Sequence, residues 1–117
     1  MTKGHKMAEI LFISLIHLIQ HPDVYDQKHV RMIGYASLKF EGKAIYVSRE
    51  DYQNAITKNA IWLDVELTEA IRKHHQMYVL VEGVFDKDSL GHLRLYSGTL
   101  KNVNRLERWQ NGDQPKK

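Results

Sequence analysis

Two segments of this chain share one plan, HVRMIGYASLKFEGKAIYV and MYVLVEGVFDKDSLGHLRLYSGTL. Each runs through strand-forming residues into a glycine, Gly34 or Gly83, continues as strand, turns and returns. A glycine inside a strand pattern marks a bulge or sharp bend, because a residue without Cβ fits where the strand coils tightly or another backbone approaches. Two such bends within 117 residues predict a small, strongly curved barrel. Barrels of that kind serve as binding scaffolds.

The length is that of one domain, enough to bury a core without covalent staples. Hydrophobic residues make up 43% and charged residues 26%, ordinary for a globular protein. Cysteine is absent, which excludes disulfides, thiolate metal sites and a cysteine nucleophile. It also fits a reducing compartment, and a cytoplasmic address is expected. The net charge of +3 permits an acidic partner but is not the concentrated basic footprint of a dedicated nucleic-acid binder. The apolar run AEILFISLIHLI resembles the middle of a signal peptide. It is interrupted by Glu9, Ser14 and His17, lacks a small-x-small cleavage site, and is too short to cross a bilayer, so it is assigned to the fold. Met7 is an alternative start, and residues 1–8 and 108–117 are expected to be flexible ends of a single domain.

ILFI at residues 10–13 reads as a short strand, and Ser14 as the N-cap of a helix through His21 that buries Leu15, Leu18 and Ile19. Pro22 stops that helix, and PDVYDQK is expected to be a turn anchored by Tyr25. The first long strand covers residues 29–40, with Val30, Met32, Ala36, Leu38 and Phe40 on one face. Arg31, Ile33, Tyr35, Ser37 and Lys39 fall on the other. Glu41-Gly42 makes a hairpin to residues 43–47. Ser48-Arg49-Glu50-Asp51 has capping-box spacing, predicting a short helix to about residue 55 over Tyr52 and Ile56. Strand three covers residues 60–65, a helical segment falls within 66–76, strand four is 78–85, and strand five runs from His92 to about Val103. The expected core is Val30, Met32, Leu38, Ile45, Val47, Ile61, Leu63, Val79, Val81, Phe85, Leu93 and Leu95.

Five strands with a helical segment between the third and fourth is the order of an OB-fold. The fold class is therefore mainly β with short helices (α+β), an OB-like five-stranded antiparallel Greek-key barrel with an N-terminal helix. SLIHLIQHPDVYDQKHVRMIGYASLKF, REDYQNAITKNAIWLDV, YVLVEGVFD and GHLRLYSGTLKNVNRLE together resemble a group of small uncharacterised bacterial proteins with an OB-like fold. The resemblance covers most of residues 14–107, implies the fold, and carries over no catalytic residue.

No residue set demands catalysis. His74 and His75 are adjacent and so diverge on a helix or strand. His17 and His21 have i, i+4 spacing, but no third ligand is placed beside them, so no metal site and no cofactor are expected. Glu50-Asp51, Asp64-Glu66 and Asp86-Asp88 sit at turns, caps or strand edges, where acids bond locally. P-loop, dinucleotide and nucleophile-elbow patterns are missing. The better signal is a face: Arg31, Tyr35 and Lys39 from strand one, Tyr46 from strand two, Trp62 from strand three, and His92, Arg94 and Tyr96 from strand five. Cations interleaved with aromatic rings suit single-stranded nucleic acid. The competing reading makes the same rings a surface covered by helices. The expected function is a small non-enzymatic interaction module in bacteria or phage, with a protein as partner and no membrane. A single-stranded nucleic-acid binder and a small enzyme using His92 are the alternatives.

Overall fold

A computed structural model describes residues 9–110 of the chain. The elements in order are β1 (Leu11–Phe12), α1 (Leu15–Gln20), α2 (Pro22–Tyr25), β2 (His29–Ser37), β3 (Ala44–Tyr46), α3 (Arg49–Gln53), β4 (Ala60–Leu63), α4 (Glu69–Arg72), β5 (Tyr78–Asp86) and β6 (Thr99–Arg108). The expected flexible ends, residues 1–8 and most of 108–117, lie outside the described residues. Arg108 itself closes β6, and the Trp109 N–H donates to the Tyr78 carbonyl at 2.8 Å.

The strands close into a barrel in the order β2-β3-β4-β6-β5 and back to β2, with β1 added in parallel to the start of β2. The barrel is not antiparallel throughout: β4 and β6 run parallel, Trp62 opposite Thr99 and Leu63 opposite Leu100. The correction is topological. Five strands in a closed ring cannot alternate direction all the way round, so one neighbouring pair must run the same way. Here the chain passes from β4 through α4 and β5 before β6 fills the gap between β4 and β5.

Inside the ring, Val30, Met32, Leu38, Ile45, Ile61, Leu63, Val79, Val81, Phe85 and Leu100 form one buried core. Leu15 and Leu18 of α1 pack into the same core. That helix starts where expected, the Ser14 hydroxyl accepting from the His17 N–H at 3.0 Å. The segment expected to be a turn is the one-turn helix α2. Pro22 stands at its first position, where the missing N–H costs nothing and the fixed φ is already helical. Tyr25 is buried as expected, its hydroxyl 2.7 Å from His17 Nδ1.

Strand β2 bonds to β5 along residues 29–35 and to β3 along residues 35–37, so the two pairings meet at Tyr35, directly after Gly34. A Cβ on Gly34 would lie 2.4 Å from Ile45 Cγ1 and 2.8 Å from the Tyr46 carbonyl oxygen. Gly83 plays the matching part in β5, where the β6 register slips between Glu82 and Val84. A Cβ on Gly83 would meet the Lys101 carbonyl oxygen at 2.7 Å. Close approach of neighbouring strands, not positive φ, is what these two positions require.

Four placements differ from the sequence reading. β2 ends at Ser37, and Phe40 stands at the tip of the β2–β3 loop, 82% exposed. Ile56 is exposed beyond α3 rather than packed beneath it. His92–Arg94 is a 3₁₀ turn, and the last strand begins at Thr99. Leu93 and Leu95 are consequently exposed and do not belong to the core. Among the described residues no helix is long and apolar enough to cross a membrane.

Gly34→Val and Gly83→Val should each destabilise the protein by about 1–3 kcal/mol, the usual cost of forcing atoms into a packed site. Urea unfolding of the two variants measures this directly. A midpoint equal to wild type for either would show that the strands can separate there without loss.

Candidate functional site

The face expected to carry the site is divided by the fold. Tyr35, Tyr46 and Tyr96 are buried, forming with Ala44 and Ala60 a second small core on the outside of the barrel. Helix α3 covers Tyr35 and Tyr46, while Tyr96 packs against Trp62. The Ser48 hydroxyl caps the helix by accepting from the Asp51 N–H at 3.1 Å, and its Tyr52 ring sits 5.5 Å from Tyr35 and 5.6 Å from Tyr46. Burial, with the Tyr96 phenol alongside, pushes the Tyr46 hydroxyl well above the usual phenol range. These three rings are packing, not a platform for bases.

Arg31 lies apart from the rest. Its guanidinium donates to Glu82 Oε2 at 3.0 Å and sits 5.7 Å from the centre of the Phe12 ring, so it belongs to the β1 side of the barrel. Glu82 is only 3% exposed, and Arg31 is its balancing charge. Lys39 reaches over the Tyr52 ring, its Nζ 5.6 Å from the centre.

Trp62, His92 and Arg94 are brought together. β4 holds Trp62 half-buried, with its ring 5.3 Å from Tyr96 and stacked with His92 at 6.2 Å and 23°. The cover over this indole is the β5–β6 loop, whose Gly91 backbone lies against it, and not a helix. His92 and Arg94 come from this loop rather than from a strand. Leu93 and Arg94 both take left-handed backbone conformations, φ 55° and 57°, which turn their side chains outward. Lys43, from the β2–β3 loop, places Nζ 5.6 Å above the Trp62 ring and donates to the Val65 carbonyl at 2.8 Å.

A groove of about 480 Å³ runs between the two loops, lined by Phe40, Lys43, Trp62, Val65, Leu67 and His92, with Glu41 and Glu66 on its rim. On the other side of Trp62 a more polar hollow holds Arg94, Asp64, Asp88 and Lys101. There Lys101 donates to Asp86 at 2.7 Å and, with the Asp88 N–H, holds that carboxyl below its usual range. Sequence reasoning missed Phe40, Lys43, Val65 and Leu67 as groove residues. The sequence reading places Phe40, Lys43 and Val65 within strands and Leu67 in a helical segment, and Gly91 and Gly98 bracketing HLRLYS mark a loop as readily as a strand.

The β2–β3 loop is tied down at its base by a histidine. The Leu38 N–H donates to His75 Nδ1 at 2.9 Å, so this nitrogen must be unprotonated. Burial, and Lys39 nearby, push the His75 pKa down. Among the described residues no three His, Asp or Glu side chains converge as a metal site. No family model, no curated protein and no solved structure matches the chain.

Trp62→Ala should cost about 3 kcal/mol, the low end for a large aromatic truncation because part of the ring is exposed. Arg31→Ala should cost about 2–3 kcal/mol through the stranded Glu82 carboxylate, with no effect on the groove. Chemical denaturation reads both. For His75 the folded state favours the neutral ring. Its contribution is full above about pH 6.5 and is lost as pH falls through the lowered folded value. That component should vanish from the pH–stability curve of His75→Gln, and a curve identical to wild type would show that His75 does not carry it.

Proposed function

We propose that this protein is a small non-enzymatic binding module that holds a partner protein in the groove between its β2–β3 and β5–β6 loops. The observation that carries the reading is Phe40, 82% exposed on the groove beside Trp62, with Leu93, 73% exposed, next along the β5–β6 loop from the groove residue His92. A half-buried aromatic floor, apolar walls and a rim bearing both Lys43 and Glu66 have the make-up of a protein-interface hot spot. The expected occupant is a segment of a partner that inserts an apolar side chain beside Trp62 and meets the rim with polar groups.

An OB-like identity for the barrel belongs to the same proposal. Its support is the strand order, the helical segment between the third and fourth barrel strands, and the location of the groove between the loops that OB-folds use for ligands. A bacterial or phage setting and a cytoplasmic address go with it, supported by the sequence resemblance and the lack of cysteine. Single-stranded nucleic acid is the less favoured ligand here. Three of the expected stacking rings are buried, and Glu41 and Glu66 interrupt any phosphate track.

The double substitution Phe40→Ser with Leu93→Ser should stay within about 0.5 kcal/mol of wild-type stability, since both side chains are exposed. Cross-linking in extracts of the source cells, followed by rebinding of the captured partner to purified protein, should succeed with wild type and fail with this variant. Partner binding unchanged in the variant would overturn the groove assignment. An oligonucleotide affinity that falls steeply with salt and weakens in Lys43→Ala and Arg94→Ala would move the reading to nucleic acid.

A further inference from the structure

A second groove, of about 300 Å³, opens where the end of β6 meets the start of α3. Arg49, Gln76, Tyr78, Arg108 and Trp109 line it, with the buried Tyr35 at its base. Its charged lining is arginine alone. In the grooves flanking Trp62, by contrast, Glu41, Glu66, Asp64 and Asp88 interleave with the cations. Among the described residues neither Arg49 nor Arg108 pairs with a carboxylate, whereas Arg31 and Arg105 each hold a glutamate.

Tyr78 fastens the three elements that build this groove. Its hydroxyl accepts from the Arg49 N–H at 3.1 Å, and its carbonyl accepts from the Trp109 N–H at 2.8 Å. Its ring meets Tyr35 edge-on at 5.1 Å. Arg108 stands opposite Val79, one residue along β5. The two guanidinium-bearing residues and the two outer rings therefore rise from backbone that is hydrogen-bonded in place.

Guanidinium groups bind phosphate oxygens in a planar, two-point fashion. Indole and phenol faces accept a flat heterocycle. The volume is at the small end for ligand pockets. A peptide backbone fits less well, because the main-chain groups around the groove are already used. The Ala36 N–H donates to Met77 O, the Ala36 carbonyl accepts from the Gln76 N–H, and the Arg49 and Trp109 N–H groups have the partners just given. Recognition must come from rings and cations.

We propose that this groove binds a nucleoside phosphate, free or as the 5′-phosphorylated end of a single strand. Arg49 and Arg108 hold the phosphate, and Tyr78 and Trp109 face the base. The site is separate from the groove around Trp62 and stands whatever that groove binds.

Calorimetric titration of the intact protein with AMP, adenosine, inorganic phosphate, a short 5′-phosphorylated oligonucleotide and a phosphotyrosine peptide tests this. AMP should bind saturably, with adenosine and inorganic phosphate each weaker by about tenfold or more, as expected when either half of the contact is lost. The double variant Arg49→Gln with Arg108→Gln should weaken AMP by about tenfold or more. Its melting temperature and its Phe40-dependent partner binding should be unchanged. AMP binding should quench tryptophan fluorescence in Trp62→Phe, where Trp109 is the emitter. A phosphorylated oligonucleotide tighter than AMP identifies the strand end as the source, and AMP as tight or tighter identifies the free nucleotide. The proposal is overturned if AMP does not saturate at millimolar concentration, if the double arginine variant binds it as wild type does, or if the phosphotyrosine peptide binds more tightly than AMP.

Discussion

Strand β2 hydrogen-bonds to β5 along one stretch and to β3 along the next, and closure of the barrel depends on both sets of bonds. A strand serving two partners must bend between them, and Gly34 allows the bend by leaving free the space a Cβ would contest with Ile45 and the Tyr46 carbonyl. Gly83 does the same on β5, against the β6 backbone. Once the ring is closed, the apolar sides of five short strands face one another. A core including Val30, Met32, Ile61 and Phe85 is then sealed from water without disulfides.

Closure also decides what the outer surface can do. Helix α3 lies over Tyr35 and Tyr46 and turns the middle of one face into a second, smaller core. What remains open lies to either side of that cover. Around Trp62 the loops present apolar side chains above an aromatic floor. Beside Tyr78 the barrel end presents two arginines with aromatic rings. The buried tyrosines brace both places, Tyr96 against Trp62 and Tyr35 against Tyr78.

Most of the strands, both glycine bends, the caps at Ser14 and Ser48, and nine of the twelve expected core residues were legible because each rests on local chemistry or on strict alternation, and Val47 is half-buried against the same core. Apart from Ile56, the apolar residues that broke the reading share a location. Phe40, Leu93 and Leu95 continue the apolar alternation of their strands on paper, yet all three are exposed, in the two loops that bound the groove. An apolar residue exposed in a loop cannot be told from one destined for the core by periodicity alone. Arg31 misled in the opposite way: it alternates onto the outer face with Tyr35, but the need to neutralise the buried Glu82 claims it. The parallel β4–β6 pair was not legible from any one segment, since it follows from an odd number of strands in a closed ring.

Leu93 and Arg94 hold consecutive left-handed backbone conformations, which L-residues with side chains adopt at a cost of order 1 kcal/mol each. That cost is met when the protein folds, because the stack of Trp62, His92 and the Gly91 backbone fixes the loop from beneath. A partner arriving at the groove would therefore find the loop already ordered and would lose little further conformational entropy in binding. The same arrangement makes the loop a reservoir of strain. Glycine at Leu93 would relax the backbone while removing the exposed side chain, so on the proposed reading stability and recognition at this one position pull in opposite directions.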